Sequence, residues 1–233
     1  MMSSIWNPSS DISQFQHTSS YWYCVPTINH LFCEENVYLL CKKLCTDGVA
    51  DISDLFVVFI SNEHKHIPLW HQKASHRADG IILWDYHVIC IQQRKEGKPV
   101  DLVWDLDSTL PFPSTLTSYV SDSIRPSIEL FSEFQRVFRV VHAPLFLSYF
   151  ASDRRHMKDA EGNWMSPPPE YNAIVAEDGT VHNLNQYIEM STKDVGKDSM
   201  NAVFTKQLGV LVGEDQLEHF FSCISRSYRV YPL

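Results

Sequence analysis

The sequence lacks the features of several large protein classes. It has no excess of basic residues: 19 Lys and Arg stand against 28 Asp and Glu, and the formal net charge of the 233 residues is −9. No basic stripe offsets that charge, so we expect binding neither to nucleic acid nor to an anionic membrane. The longest apolar runs, at 55–60 and 80–83, are far too short to span a bilayer. The first residues lack the basic start and apolar core of a secretory signal, which favours a cytoplasmic location.

Pairs of cysteines at metal-binding spacing are also missing. The six cysteines, at 24, 33, 41, 45, 90 and 223, include no Cys-x-x-Cys pair, and free thiols are expected rather than a disulfide framework. Four histidines between 64 and 76 form a loose cluster without nearby thiols. We therefore expect neither a metal nor another cofactor.

The composition fits an ordinary globular chain, because 44% of the residues are hydrophobic and 20% are charged. We expect a flexible tail over residues 1–20, which are polar and aperiodic, and one folded domain over 21–233. No internal repeat is visible, and nothing indicates an obligate oligomer, so a monomer is expected.

The segment 31–45 predicts an amphipathic helix. Its apolar residues at 37, 40, 41 and 44 follow the spacing of one helix face. Cys33 lies in the first turn, on the same face, above the positive end of the helix dipole. That position favours the thiolate, the nucleophilic form of cysteine. The alternative is that Cys33 is one more small buried residue.

Strand patterns dominate the next part of the chain. The apolar run 55–60 predicts a strand buried on both faces, and 67–71 predicts a strand that returns beside it. Residues 81–91 and 100–105 predict two further strands joined by a polar turn.

The hairpin would bring a histidine beside a carboxylate. Paired residues of an antiparallel hairpin have a constant index sum. A turn centred on Glu96 pairs His87 with Asp105, whereas a turn centred on Gly97 pairs His87 with Asp107. Asp85 shares the His87 face by two-residue alternation. The pattern alone leaves both registers open, and it also allows a sheet histidine that a carboxylate merely satisfies.

The second half of the sequence predicts further elements around this sheet. We expect helices at 114–123 and 126–136, a strand at 137–141, helices at 144–150, 184–190 and 215–224, and a long polar loop at 151–170. Loops of that length in a compact domain are often functional.

Cysteine at a helix start, then histidine, then aspartate is the order found in papain-like and transglutaminase-like enzymes. In that chemistry the thiol attacks a carbonyl carbon, the imidazole transfers the proton, and the carboxylate orients the imidazole.

Several longer motifs carry a resemblance to one family. They follow one another in this order: CEENV at 33–37, FISNE at 59–63, PLW at 68–70, WDYHV at 84–88, WDLDSTLPFP at 104–113, FASDRRHMK at 150–158, GNW at 162–164 and PPP at 167–169. Over residues 21 to 190 the chain resembles the protein N-terminal glutamine amidohydrolases.

The resemblance implies a fold, an activity and a site. The implied fold is α/β (α+β) and transglutaminase-like or papain-like, with a central, largely antiparallel sheet, flanking helices and the nucleophile at a helix N-terminus. The implied activity converts the N-terminal glutamine of a protein to glutamate with release of ammonia, in the cytoplasm and also the nucleus, and feeds the N-degron pathway. The implied nucleophile is Cys33, the base is His87, and the third member is Asp105, the first aspartate of its motif.

A requirement for a free chain terminus adds one more expectation. An acidic group must lie within one glutamine length of Cys33 to bind the substrate α-ammonium. The candidates are Glu34, Glu35, Asp85 and Asp107, besides backbone carbonyls; the two glutamates are also placed to stabilise the helix dipole.

Three other functions remain open at this point. The first is a related cysteine enzyme that acts on internal residues. The second is an inactive module that binds N-terminal glutamine, and the third is a metal-dependent hydrolase that uses the histidines at 64–76.

Overall fold

The computed structural model describes residues 32–93 and 100–227, and within them the chain is a mixed α/β fold built on an antiparallel sheet. The strands are β1 (Leu55–Ser61), β2 (Ile67–Leu69), β3 (Ile82–Trp84), β4 (His87–Gln92), β5 (Leu102–Trp104), β6 (Ser114–Thr115), β7 (Val137–His142) and β8 (Val210–Gly213). The main sheet has the order β6-β5-β4-β1-β7-β8, and every neighbouring pair is antiparallel. The expected antiparallel sheet with flanking helices is therefore confirmed.

The described residues also form five α-helices, which are 4 to 14 residues long. They are α1 (Cys33–Thr46), α2 (Leu116–Tyr119), α3 (Ala143–Tyr149), α4 (Leu184–Ile188) and α5 (Leu217–Ser227). A wider π-helical turn, Val120–Ile124, continues α2, and short 3₁₀ turns lie at Ile52–Asp54, Ser132–Phe134, Arg155–Met157, Thr192–Asp194, Met200–Phe204 and Glu214–Gln216. In this part of the chain, no helix is both long enough and apolar enough to cross a membrane.

β1 lies in the interior of the sheet and is buried along its whole length, as its apolar run predicts. Because successive side chains point to opposite faces, Val57 and Phe59 enter one hydrophobic core and Phe56 and Val58 enter another. Helices α1, α3 and α4 cover the first face, while α2 and α5 cover the second. The sheet is thus buried on both sides.

Helix α1 confirms the predicted amphipathic stripe. Val37, Leu40, Cys41 and Leu44 are all buried against the first face of the sheet. The helix ends at Thr46, and Gly48 follows with φ +69, a left-handed conformation that glycine adopts without steric cost. Packing of this stripe on β4 fixes the helix start beside the start of that strand.

Two strand predictions are wrong in part. β2 does not return beside β1: it pairs with β3 in a separate two-stranded sheet, in the register Ile67 to Trp84. The predicted strand at 81–91 is two strands, because the chain leaves β3 at Asp85 and Tyr86 before β4 begins at His87. Asp85 and His87 therefore do not share one strand face.

The predicted helix at 126–136 is also wrong, since only the turn Ser132–Phe134 is helical there. Arg125, at the end of the π turn, has φ +56, which directs the chain away from a helical path. The segment at 114–123 begins as strand β6 before it becomes helical.

The structure confirms several other predictions: the strand at 137–141, the helices near 144–150, 184–190 and 215–224, and the non-helical character of most of 151–170. Strand β8 was not predicted, and the tail 1–20 and the turn at 94–98 lie outside the described residues.

Candidate active site

Cys33 begins α1 directly after Phe32, a buried residue that makes no side-chain cap. Its side chain is 5% exposed, and the backbone N–H of Val88 donates a hydrogen bond to its sulfur. That contact places the thiol at the beginning of β4, one residue from His87. Glu34 Oε2 lies 3.8 Å from the sulfur.

The resting site keeps the proton on Cys33. Burial raises the pKa of the thiol well above its ordinary value, and nearby carboxylates, Glu34 first among them, raise it further. The hydrogen bond from Val88 acts in the opposite direction but does not outweigh them. The prediction that the helix start by itself favours the thiolate is therefore wrong for the resting site. Formation of the thiolate therefore needs a base that takes the proton of the Cys33 thiol.

His87 is placed to be that base. It is completely buried, its Nε2 lies 3.0 Å from Asp105 Oδ1, and the Trp84 ring stacks on the imidazole with centroids 5.2 Å apart. Its other ring nitrogen, Nδ1, is buried and has no hydrogen-bond partner among the described residues. A buried polar atom without a partner is costly, which marks Nδ1 as the nitrogen available for proton transfer.

Asp105 is held by three donors. His87 Nε2 and the Asp107 backbone N–H meet Oδ1, the latter at 2.9 Å, and the Tyr119 hydroxyl donates to Oδ2 at 2.8 Å. Burial tends to raise the pKa of this carboxyl, but the His87 charge and these hydrogen bonds outweigh burial and lower it. Asp105 is therefore a carboxylate that fixes the orientation of the imidazole.

The carboxylate of Asp105 in turn raises the basicity of the His87 imidazole. Burial tends to lower the pKa of His87, but the charge and hydrogen bond of Asp105, with the charge of Asp107, raise it above its ordinary value. A stronger base accepts the thiol proton more readily, which is what the raised pKa of Cys33 demands.

The strand register decides between the two hairpin alternatives. β4 and β5 pair Cys90 with Trp104 and Gln92 with Leu102, which is the register of a turn centred on Gly97. The register centred on Glu96 is therefore wrong. The ladder stops at Trp104, and Asp105 reaches His87 from the turn that follows rather than from a paired strand position.

Glu34 is a buried carboxyl beside the thiol. The Tyr86 hydroxyl donates to its Oε2 at 2.8 Å, and His156 Nε2 lies 3.4 Å from its Oε1 without the geometry of a hydrogen bond. Burial raises the pKa of Glu34 from 4.5 to about 7, although hydrogen bonds such as that of Tyr86 oppose the rise. Burial also lowers the pKa of His156 to about 4, so this imidazole is neutral at physiological pH.

Glu35 points elsewhere and forms a buried ion pair. Arg154 donates to both carboxylate oxygens of Glu35 at 2.9–3.1 Å, and its remaining hydrogens bind the backbone carbonyls of Pro169, Tyr171 and Asn172. This pair fastens the long loop at 151–170 to the first turn of α1.

The other two candidate carboxylates differ in exposure. Asp85 is exposed and accepts the Tyr86 backbone N–H at 2.9 Å. Asp107 is 2% exposed, and its charge acts on both His87 and Cys33. Within residues 32–93 and 100–227, the one group of three possible metal ligands is His87, Asp105 and Asp107, whose ligand atoms lie within 4.8 Å of one another. The histidines at 64–76 form no such group there.

Comparison with known proteins addresses the family directly. The sequence matches the family model described as N-terminal glutamine amidase over residues 28–221. The chain belongs to this family. The match extends beyond residue 190, where the motif resemblance ends, and takes in β8 and the beginning of α5.

Relatives from distant organisms agree with the family match. A protein of Arabidopsis thaliana named protein N-terminal glutamine amidohydrolase is 57% identical over 218 residues, which cover 91% of this chain and 94% of the relative. A protein of the same name from Oryza sativa subsp. indica is 55% identical over 217 residues, covering 91% and 89%. One from Homo sapiens is 41% identical over 162 residues, covering 70% and 77%.

Several side chains of the site were not predicted. Tyr86, Arg154 and His156 stand inside the family motifs, but their spacing says nothing of the partners that they contact. Tyr119 lies outside those motifs, and its hydroxyl reaches Asp105 only because α2 packs under β5. A tyrosine on an otherwise apolar helix face is the single sequence signal available for such a contact.

Proposed function

We propose that this chain hydrolyses the side-chain amide of an N-terminal glutamine in a protein or peptide, giving glutamate and ammonia. The observation that carries the proposal is the His87–Asp105 pair at the start of β4, next to a cysteine at a helix start, in a chain of this family. The names of the relatives supply the substrate.

In the first half of the reaction, Cys33 is the nucleophile. His87 Nδ1 takes the thiol proton, and the sulfur attacks the amide carbon of the glutamine side chain. The imidazolium, stabilised by Asp105, returns the proton to the amide nitrogen as the carbon–nitrogen bond breaks. Ammonia leaves, and the substrate remains bound to Cys33 as a γ-glutamyl thioester.

In the second half, His87 removes a proton from water, and the resulting hydroxide attacks the thioester carbonyl. The carbon–sulfur bond breaks, the sulfur regains its proton from His87, and glutamate is released. Backbone N–H groups at the start of α1, that of Cys33 among them, bind the oxyanion in both halves, because the first N–H groups of a helix have no partner within the helix.

The wider setting follows from the family resemblance. The proposed fold is the transglutaminase-like or papain-like type, with a single catalytic domain over 21–233 that acts as a monomer. The new N-terminal glutamate would feed the N-degron pathway in the cytoplasm and nucleus.

Ammonia release from a peptide with free N-terminal glutamine tests the proposal. We expect one ammonia per glutamate formed, and no activity with Cys33→Ala. Peptides that begin with asparagine, carry an acetylated glutamine or hold glutamine internally should be poor substrates. Equal activity on internal glutamine would instead indicate a related enzyme of broader specificity, and binding without turnover would indicate a recognition module.

A further inference from the structure

The substrate α-ammonium must bind within a short distance of Cys33. Four covalent bonds of about 1.5 Å separate the side-chain amide carbon of glutamine from its α-nitrogen, a span of about 5 Å when extended. A hydrogen bond adds about 3 Å. The acceptor must therefore lie in the immediate surroundings of the thiol, where four carboxylates are candidates.

Three of the four are already committed or solvated. Both oxygens of Glu35 bind Arg154, so the charge of Glu35 is neutralised inside the protein. Asp107 lies beside the imidazole, where its charge contributes to the raised pKa of His87. Asp85 is exposed, and a solvated carboxylate contributes little to the binding of an ammonium group.

Glu34 differs from these because its carboxyl group is buried and, when it ionises, no cation among the described residues neutralises it. It is 0% exposed, and its Oε1 has no hydrogen-bond partner among the described residues. Within residues 32–93 and 100–227, no lysine or arginine lies within ion-pair distance of it; the basic side chain in reach is His156, which is neutral. Tyr86 occupies Oε2 and leaves Oε1 for a further donor.

The side chain next to Oε1 is partly exposed to solvent. The side chain of His156 is 19% exposed and covers Oε1 at 3.4 Å. Both of its ring nitrogens lack hydrogen-bond partners in the described part of the chain. The ring packs against Phe32 and His182, with centroids 6.2 and 6.4 Å away. Its displacement by an ammonium group would therefore break ring contacts but no hydrogen bond or ion pair within the described residues.

We infer that Glu34 Oε1 binds the α-ammonium group of the substrate and that this contact restricts the enzyme to the chain terminus. The inference rests on the proposed function. A carboxylate that is buried without a partner in the free enzyme gains its missing cation when substrate binds. An acetylated or internal glutamine brings a neutral amide instead and leaves the charge unpaired.

Two peptides and two matched variants test the inference. One peptide begins with glutamine, and the other carries glutaramic acid in place of glutamine, which keeps the side-chain amide but lacks the α-amino group. Glu34→Gln removes the charge at nearly constant shape, and Glu161→Gln makes the same change at an exposed position of the loop that carries His156.

The expected result is a change in preference. The wild-type protein should prefer the amino peptide by roughly 10²-fold in kcat/KM, as expected for loss of one partner of a buried charge pair. Glu34→Gln should lose this preference, because its kcat/KM should fall much further on the amino peptide than on the glutaramyl peptide. Glu161→Gln should keep the wild-type preference.

Other outcomes overturn the inference. They include an equal loss on both peptides, an unchanged preference in Glu34→Gln, and loss of the preference in Asp85→Asn in its place. Glu34→Asp serves as a second variant, because it withdraws the charge by one methylene; a preference equal to that of the wild type would also contradict the assignment. A wild-type protein that releases no ammonia from either peptide would refute the proposed function itself, whereas one that deamidates both peptides equally would refute only the ammonium site.

Discussion

The buried carboxyl of Glu34 should make the protein less stable at high pH. Its pKa is raised from 4.5 to about 7, with burial as the largest cause. The folded state therefore binds more protons than the unfolded state between these two values, so the free energy of unfolding falls as pH rises through that window. The stabilising form is the neutral acid, which is fully present below pH 4.5.

The magnitude follows from the linkage relation. A pKa difference of one unit corresponds to about 1.4 kcal/mol. Relative to low pH, the free energy of unfolding is therefore lower by about 3 kcal/mol at pH 8 and by about 1 kcal/mol at pH 5. Glu34→Gln abolishes this titration and keeps a neutral polar group of the same size. We therefore expect the variant to be more stable than the wild-type protein by about 3 kcal/mol at pH 8 and by about 1 kcal/mol at pH 5.

Urea unfolding of both proteins at pH 5 and pH 8 measures this difference. Titrations of other groups, including His87 and Asp105, occur in both proteins and cancel in the comparison. Glu161→Gln, at an exposed site, should change the unfolding free energy by less than about 0.5 kcal/mol at either pH. A difference between Glu34→Gln and wild type that does not change with pH would refute the reasoning, because it would mean that Glu34 titrates alike in both states. A gain in stability together with a loss of activity is typical of a residue kept for function.

Three further predictions concern the neighbours of Cys33. Asp105→Asn should lower kcat by roughly 10³–10⁴-fold with the fold retained, and the His87 pKa, followed by NMR, should fall because the charge that raises it is gone; an unchanged pKa would contradict this. Arg154→Met should reduce the unfolding free energy by about 3–5 kcal/mol, because Glu35 stays buried and unpaired, and adding Glu35→Gln should recover much of the loss; a single variant as stable as wild type would contradict this. A chelator such as EDTA should leave ammonia release unchanged, since three donors already occupy the oxygens of Asp105, and inhibition reversed by added metal would contradict it.

Local periodicity predicted the elements that depend on one hydrophobic stripe. The helix at Cys33–Thr46 and the strand at Leu55–Ser61 bury the predicted residues, because each pattern fits a single secondary structure. The prediction of a helix at 126–136 was wrong, since helical propensity stabilises a helix little when the helix has no neighbouring surface to cover.

Which strands pair with each other was harder to predict from the sequence than which segments form strands. The run 81–91 has strand propensity throughout, but Asp85 accepts the Tyr86 N–H and its carbonyl accepts the Ser61 hydroxyl, and these contacts mark the break between two sheets. The register of β4 and β5 depended on the centre of a turn whose composition fits two positions. The motif resemblance nevertheless named Asp105, which contacts His87 from beyond the end of the ladder.

The two glutamates after Cys33 show the same limit. Adjacent residues of a helix point in directions about 100° apart, so Glu34 and Glu35 enter different surroundings. In the sequence the two residues look alike, because both are carboxyl groups in the first turn of the same helix. Only the positions of Arg154, Tyr86 and His156, which come from distant parts of the chain, distinguish an ion-paired glutamate from an unpaired one.

Trapping the covalent intermediate tests the central role of Cys33 most directly. Acid quenching during turnover of a glutamine-initiated peptide, followed by digestion and mass spectrometry, locates any acyl group on the protein. We expect a γ-glutamyl adduct on the peptide that contains Cys33, cleaved by hydroxylamine as a thioester is, absent from Cys33→Ala and retained in Cys45→Ala. Undiminished ammonia release by Cys33→Ala, or an adduct on a different cysteine, would contradict the account.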